Sequence, residues 1–127
     1  MEISESQTAR SSLEQFAHEA IAKLRDGDFA ALAERFDYAC AYGRDLASAI
    51  EADMKAALSD DMDAPGDVAP YMTIKYFNAE ALKSTGLVAA VDCVTHLADG
   101  TAVDFSLVVT GKGAKRYLTL ESIQRAL

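Results

Sequence analysis

The stretch LVAAVDCVTHLADGTAVDFSLVVTGKGAKRYLTLESI, residues 87–123, decides the fold. Three segments of it alternate in polarity and are rich in β-branched and aromatic residues: Leu87–Leu97, Ala102–Thr110 and Lys115–Ile123. Asp99-Gly100, between the first two, is a strong hairpin signal, because a type I′ turn needs positive φ at both central residues. Gly111–Ala114 predicts a second, four-residue turn. The sequence therefore predicts an antiparallel meander, to which Tyr71–Phe77 adds a fourth strand.

The residues before the meander have the period of helices. Ser11–Glu14 has the form of a capping box, and apolar residues follow at helical spacing: Leu13, Phe16, Ala17, Ala20, Ile21 and Leu24. Gly27 is predicted to end this helix, and Asp28 to cap a short second one. A third helix is expected to run to about Ser59, before an acidic linker at residues 60–67. Helices followed by strands predict an α+β domain, with about three helices on a curved four-stranded antiparallel sheet.

The chain length sets the domain count. At 127 residues it is long enough for one ordinary domain, and half of its residues are apolar, so we expect residues 1–127 to fold around one core. Residues 1–10 are expected to be a flexible N-terminal segment. The stretch Ala79–Gly86 is predicted to be a longer loop or a short helix between the first two strands.

The charge excludes several classes of partner. The formal net charge is −8, and 15 of the 20 acidic side chains lie in residues 1–67, on the predicted helices and linker. Such acidity argues against binding nucleic acid or an anionic membrane surface, since both need Lys and Arg. Met1–Ser6 is acidic and polar, unlike a secretory signal. Cys40 and Cys93 stand far apart, so we expect reduced thiols in a cytoplasmic protein.

The predicted register assigns residues to the two faces of the sheet. A two-residue turn at Asp99-Gly100 pairs Asp92 with Leu107, and the helix-facing side then carries Asp92, His96, Phe105 and Arg116. The opposite face carries these apolar residues among polar ones: Val91, Val108, Tyr117 and Ile123. We expect a second subunit to pack there. A three-residue loop at either turn would reverse the assignment for one strand.

The order of elements resembles a known superfamily. A helix, the turn Asp26–Phe29, a short helix containing Ala31–Phe36, a third helix and a long meander are similar to the nuclear-transport-factor-2-like superfamily, which includes the SnoaL-like polyketide cyclases. The local motif is Gly-Asp-Phe-x-x-Leu at Gly27–Leu32. The resemblance implies a cone that encloses an apolar pocket, often in a homodimer joined through the sheets. Enzymatic members use Asp, His and Tyr inside the cone, whereas others bind ligands or proteins.

Asp92 and His96 are the candidate catalytic residues. They share one side of a predicted strand, roughly 13 Å apart, so both could line a pocket. There, burial would raise the pKa of Asp92 and suit it to act as a general base. Arg116 is a candidate partner of Asp92 or of an anionic ligand, and Tyr76 and Phe105 are candidate ligand contacts. The alternative is structural: Asp92 is paired with Arg116, and Tyr76 packs its ring against apolar residues with its hydroxyl at the surface.

The remaining motifs are weaker indications of function. Residues 61–66 begin like a calcium loop, but Pro65 stands at the third ligand position. We expect no metal and no cofactor. The leading hypothesis is a protein that binds a small apolar ligand between helices and sheet. One alternative is a metal-independent lyase or isomerase using a pocket Asp. Another is an immunity or adaptor protein whose acidic helices bind a basic protein partner.

Overall fold

The computed structural model describes residues 1–58, 69–97 and 100–125. In these residues the helices are α1 (Arg10–Asp26), α2 (Phe29–Phe36), α3 (Leu46–Leu58) and α4 (Ala79–Thr85). The strands are β1 (Glu2–Ile3), β2 (Tyr71–Tyr76), β3 (Leu87–His96), β4 (Ala102–Lys112) and β5 (Lys115–Arg125). Short 3₁₀ helices lie at Glu5–Thr8 and Ala39–Ala41. The α+β class is confirmed, with one helix and one strand more than the sequence predicts.

The strands form one antiparallel sheet in the order β1-β5-β4-β3-β2. The additional strand β1 pairs Glu2 with Tyr117 and Ile3 with Arg116. Ile3 is buried in the core, so the segment 1–10, which the sequence predicts to be flexible, contributes to the sheet. The additional helix α4 connects β2 to β3, where the sequence leaves a loop and a short helix as alternatives; Asn78 caps it by accepting from the Ala81 N–H at 2.9 Å.

Local signals fix most helix ends. Gly27 takes the left-handed conformation (φ 68°) that ends α1, and Asp28 Oδ1 accepts from the Ala31 N–H at 3.1 Å to cap α2. Both predictions are confirmed. The predicted cap at Ser11 is wrong, because α1 begins at Arg10 with Ala9 in the capping position. The end of the third helix at Ser59 and the linker 60–67 lie outside the described residues.

The core lies between the helices and one face of the sheet. Phe105 and Leu107 of β4, with Leu118 and Leu120 of β5, are fully buried there. The helices contribute apolar residues, and those of α1 belong to the predicted stripe: Leu13, Phe16, Ala17, Ala20 and Leu24 of α1, Leu32 and Phe36 of α2, and Ala49, Ile50 and Met54 of α3. We call this the inner face of the sheet and the opposite side the outer face.

The predicted register of β3 against β4 is wrong by one residue. Asp92 pairs with Ser106 rather than Leu107, and His96 pairs with Ala102. The Leu97 N–H donates to the Thr101 carbonyl at 2.9 Å, so the two strands are joined by one residue more than a two-residue turn allows. Gly100 adopts φ 86°; the other turn residue, Asp99, lies outside the described residues. Since side chains alternate, β3 turns Asp92 and His96 to the outer face.

Two residues predicted to face a second subunit lie on the inner face instead, each for its own reason. Val91 is buried on the inner face, because the whole of β3 is reversed. Ile123 is also buried inside, because a bulge pairs Ser106 with Ser122 but Leu107 with Leu120. Val108 and Tyr117 are on the outer face, as predicted, and are partly exposed. In the described part of the chain, no helix has the length and apolar character needed to cross a bilayer.

Candidate functional site

A cleft opens between α3 and the C-terminal end of β5. Its volume is about 530 Å³, within the range of small-ligand sites. Four polar residues and three apolar ones line it: Asp53, Asp104, Gln124 and Arg125, with Ala56, Ala57 and Ile123. The sequence predicts a pocket between helices and sheet. The structure has a cleft at one end of that interface, with a partly polar lining.

Asp53, on α3, is held by two side chains from the preceding loop. The Tyr38 hydroxyl donates a hydrogen bond to Asp53 Oδ2. Arg44 approaches both carboxylate oxygens, with Nη1 3.2 Å from Oδ1 and Nη2 3.3 Å from Oδ2. Burial is the largest influence on the Asp53 pKa and raises it, but the hydrogen bonds from Arg44 and Tyr38 outweigh it, so the pKa is lowered. Asp53 therefore presents a fixed negative charge, balanced by Arg44.

The loop that supplies Tyr38 and Arg44 has an unusual backbone. Asp37 and Tyr42 both have positive φ, 64° and 49°, and they are the non-glycine residues with that conformation in the described part of the chain. Backbone strain of this kind concentrates at functional sites. Tyr38 is almost fully buried and bridges to Leu120 of β5, while Arg44 donates to the carbonyls of Cys40 and Ala41. The loop is thus fastened to the sheet and to α3 despite its strain.

Asp104, on β4, faces a second carboxyl group. Asp92 of β3 lies diagonally across the strand pair, on the same outer face of the sheet. Burial, followed by the hydrogen bond and charge of Asp92, raises the pKa of Asp104 to about 6, although a hydrogen bond with Gln124 opposes this. Asp92 also accepts from Ser106 at 3.4 Å and from the Tyr71 hydroxyl at 3.3 Å. Asp104 therefore keeps its proton to a higher pH than an ordinary aspartate does.

The predicted catalytic pair is not brought together in a pocket. Asp92 lies on the outer face beside Asp104, and His96 lies on the same face at the end of β3, where its carbonyl accepts from Arg25 at 3.1 Å. The lining of the cleft contains Asp104 but neither of the predicted pair. The reason is the register of β3 against β4, which turns the side chains of β3 to the opposite faces from those predicted.

The predicted ligand contacts are spread across the sheet. Phe105 is fully buried, so it packs in the core and does not contact the cleft. Tyr76 is 45% exposed at the sheet edge, and its hydroxyl donates to the Thr8 carbonyl at 2.8 Å. Arg116 lies at the β4–β5 hairpin, paired with Gly111 and donating to the carbonyls of Gly113 and Lys115. It is roughly 16 Å along the strand from Ser106, the partner of Asp92, so the predicted Asp92–Arg116 pair does not form.

The residues that converge on the cleft carry weak signals in the sequence. Asp53 is one acidic residue on the polar side of an amphipathic helix, and its contact with Tyr38 depends on a loop conformation that has no motif. Asp104 stands at one of the polar positions of an alternating strand, together with Ser106 and Thr110, so its spacing does not distinguish it. In residues 1–58, 69–97 and 100–125, no group of three or more His, Cys, Asp or Glu is arranged as metal ligands would be.

Comparison with known proteins adds no assignment of fold or function. No protein-family model matches the chain, and no curated protein or solved structure matches it significantly.

Proposed function

We propose that this protein binds a small ligand in the cleft between α3 and β5. The observation that carries the proposal is the lining, where polar groups from α3, β4 and β5 converge beside a small apolar surface. Ligand sites commonly combine apolar walls with a few placed polar groups. The sequence predicts an apolar ligand, but this mixed lining suits an amphipathic one. Its apolar part would contact Ala56, Ala57 and Ile123.

The hydrogen bonds around Asp53 support this proposal. A carboxylate held by Tyr38 and Arg44 is oriented before any ligand arrives, which reduces the entropy lost on binding. The strained backbone at Asp37 and Tyr42 flanks the same loop. Strain next to a pre-oriented polar group is typical of binding and catalytic sites.

The proposal is tested by a fragment screen that compares the wild type with a variant whose cleft is filled by a large side chain. Ala56 is exposed and lines the cleft, so Ala56→Trp should block it without disturbing the core. Ala52 is also exposed on α3 but does not line the cleft, which makes Ala52→Trp the matched control. Fragments that bind the wild type and Ala52→Trp but not Ala56→Trp would support the proposal. Equal binding to all three proteins would refute it.

Asp53 and Asp104 together favour a second candidate function, metal-independent proton transfer by a lyase or isomerase. Asp104 has a pKa of about 6, whereas that of Asp53 is lowered, and both line one cleft. Carboxyls whose pKa values are driven apart suit an acid–base role and a charge-stabilising role. Deuterium exchange into small carbonyl compounds would test it: catalysed exchange that is lost in Asp104→Asn supports the enzyme, and equal exchange in both excludes this role for Asp104.

The outer face remains our proposed surface for a homodimer. It carries partly exposed Val108 and Tyr117, with Lys75 and Lys112 toward one end and Asp104 toward the other. Two copies packed antiparallel would oppose these charges. Sedimentation of the wild type and of Val108→Arg tests this, because a monomeric wild type, or a dimer unaffected by the substitution, would refute it. The binding of a basic protein by the acidic helices stays a prediction.

A further inference from the structure

We infer that two copies of this chain associate through β2, each pairing the free edge of that strand antiparallel with the same edge of the other, so that the two sheets become one. This inference concerns the edge of the sheet and goes beyond both the cleft and the outer-face contact proposed above. It follows from the backbone groups along the edge and from the match between the strand and a second copy of itself.

The free edge of β2 carries a regular row of backbone groups. The Phe77 N–H donates to the Val88 carbonyl at 2.9 Å, and the register of β2 against β3 continues this ladder. Because alternate residues of an antiparallel pair bond to each neighbour, the N–H and C=O of Met72, Ile74 and Tyr76 point away from β3. In residues 1–58, 69–97 and 100–125 these groups have no backbone partner, and β2 is the last strand of the sheet. They are donors and acceptors for one more antiparallel strand.

The two edges of the sheet differ in how they are protected. Strand β1, at the opposite edge, has two residues, whereas β2 has six in unbroken register with β3. Natural proteins protect exposed edges with short strands, bulges or charges. The charged residue of β2 is Lys75, and its ammonium lies 5.2 Å from the centre of the Phe77 ring, along its own strand. The edge of β2 is therefore open to a second strand.

A second copy matches that edge best when Ile74 pairs with its own equivalent, because all the outward-pointing groups then find partners. Met72 lies opposite Tyr76 of the second copy on the inner face. Thr73 lies opposite Lys75 on the outer face, so no like charges meet. A groove of about 310 Å³ between α1 and β2 has Met72 in its lining, and Tyr76 is 45% exposed. The Tyr76 ring of each copy would thus cover apolar surface beside this groove in the other.

Hydrogen exchange of the full chain, measured at concentrations where sedimentation shows monomer and dimer, tests the pairing directly. We expect the amides of Met72, Ile74 and Tyr76 to exchange roughly tenfold or more slowly in the dimer. The amides of Thr73 and Lys75, which already bond to β3, should change little. The inference is wrong if the first three amides exchange equally in both samples or are already protected in the monomer, or if the chain stays monomeric at the highest concentration tested.

A cysteine pair tests the register. Thr73→Cys and Lys75→Cys are made separately on exposed positions of a Cys40→Ser chain, in which Cys93 is fully buried. Opposed residues of a non-hydrogen-bonded pair have Cα atoms about 4.5 Å apart, within reach of a disulfide. A mixture of the two variants should therefore form a linked dimer much faster than either variant alone. Equal linking in all three samples would overturn the register.

Val108→Arg separates this contact from the outer-face dimer. Val108 lies on β4, two strands away from β2, so the substitution should leave the protection of the Ile74 amide unchanged. Loss of that protection in Val108→Arg would mean that the second copy covers the outer face rather than the edge, and the inference would be wrong.

Discussion

Asp53 and Asp104 line one cleft, and their surroundings move their pKa values in opposite directions. Asp53 is held by a guanidinium and a phenol, so its ionised form is stabilised. Asp104 faces another carboxyl, so its protonated form is stabilised. The difference arises from contacts with residues on other elements, and it gives the two carboxyls opposite effects on the pH dependence of stability.

At pH values above 6, Asp104→Asn should have a larger free energy of unfolding than the wild type. The folded state holds the Asp104 pKa near 6, above the ordinary 3.8, so between about pH 4 and 6 it binds more protons than the unfolded state. The Asp104 contribution to stability is therefore fully present below pH 4 and is lost as the pH rises toward 6. Urea unfolding at pH 4, 5, 6 and 7 should show the wild type losing stability relative to the variant. A constant difference between the two across this range would contradict the shift.

Asp45 is a control, because its pKa is shifted in the opposite direction from that of Asp104. Its pKa is lowered because it accepts hydrogen bonds from the Ser48 N–H and hydroxyl, at 3.1 and 2.9 Å. Its contribution to stability is present above its ordinary pKa and is lost as the pH falls. Asp45→Ala should therefore lower stability at pH 7 and have a smaller effect in acid.

Tyr38→Phe should destabilise the fold by about 1–2 kcal/mol, because it removes the hydroxyl that donates to Asp53 while leaving the buried ring in place. The Asp53 pKa should rise, since one of the groups that lower it is gone. Tyr42→Phe is the matched control, because the Tyr42 side chain is 84% exposed. Denaturant unfolding and carboxyl titration by NMR measure the two effects, and equal stability of both variants would show that the Tyr38 hydroxyl contributes nothing.

The register of β3 can be tested by exchanging the character of adjacent residues. Val91 is fully buried, whereas Asp92 is partly exposed on the outer face. Val91→Asp should cost about 3–5 kcal/mol, because it places an unpaired charge in the core. Asp92→Val should be tolerated and should lower the pKa of Asp104 toward its ordinary value. If Asp92→Val were instead the more destabilising change, the result would support the register with a two-residue turn that the sequence predicts.

That register shows how far the sequence can be interpreted. Alternation identifies β3, β4 and β5 within two residues at each end, because period-two patterns are strong over ten residues. It does not determine how two strands are paired, since one more residue between them reverses a whole strand. Strand β1 has only two residues and thus no pattern to detect. The site was harder to predict, because Asp53 meets Tyr38 and Arg44 only through tertiary packing.

The two cysteines should differ in reactivity. Burial, reinforced by the charges of Asp92 and Asp104, raises the pKa of Cys93 to about 12, and its side chain is fully buried. Cys40 is only half-buried, on the loop between α2 and α3. A thiol reagent at pH 8 should therefore modify one cysteine in the native protein and two in urea. Rapid modification of the Cys40→Ser variant in its native state would contradict this arrangement.

Tyr42→Gly should stabilise the protein by up to about 1 kcal/mol, since left-handed backbone costs a bulky residue roughly 1–2 kcal/mol and glycine loses part of that gain to chain entropy. Asp37→Gly is the informative companion, because it relieves strain but also removes the carboxylate that accepts from the Tyr38 N–H at 2.8 Å. Its gain in stability should be smaller. If strain in this loop serves to orient Tyr38 and Arg44, the more stable Tyr42→Gly should bind cleft ligands less tightly. Urea unfolding and titration with a fragment that binds the wild-type cleft measure both quantities, and a stabilised variant with unchanged affinity would separate the strain from the site.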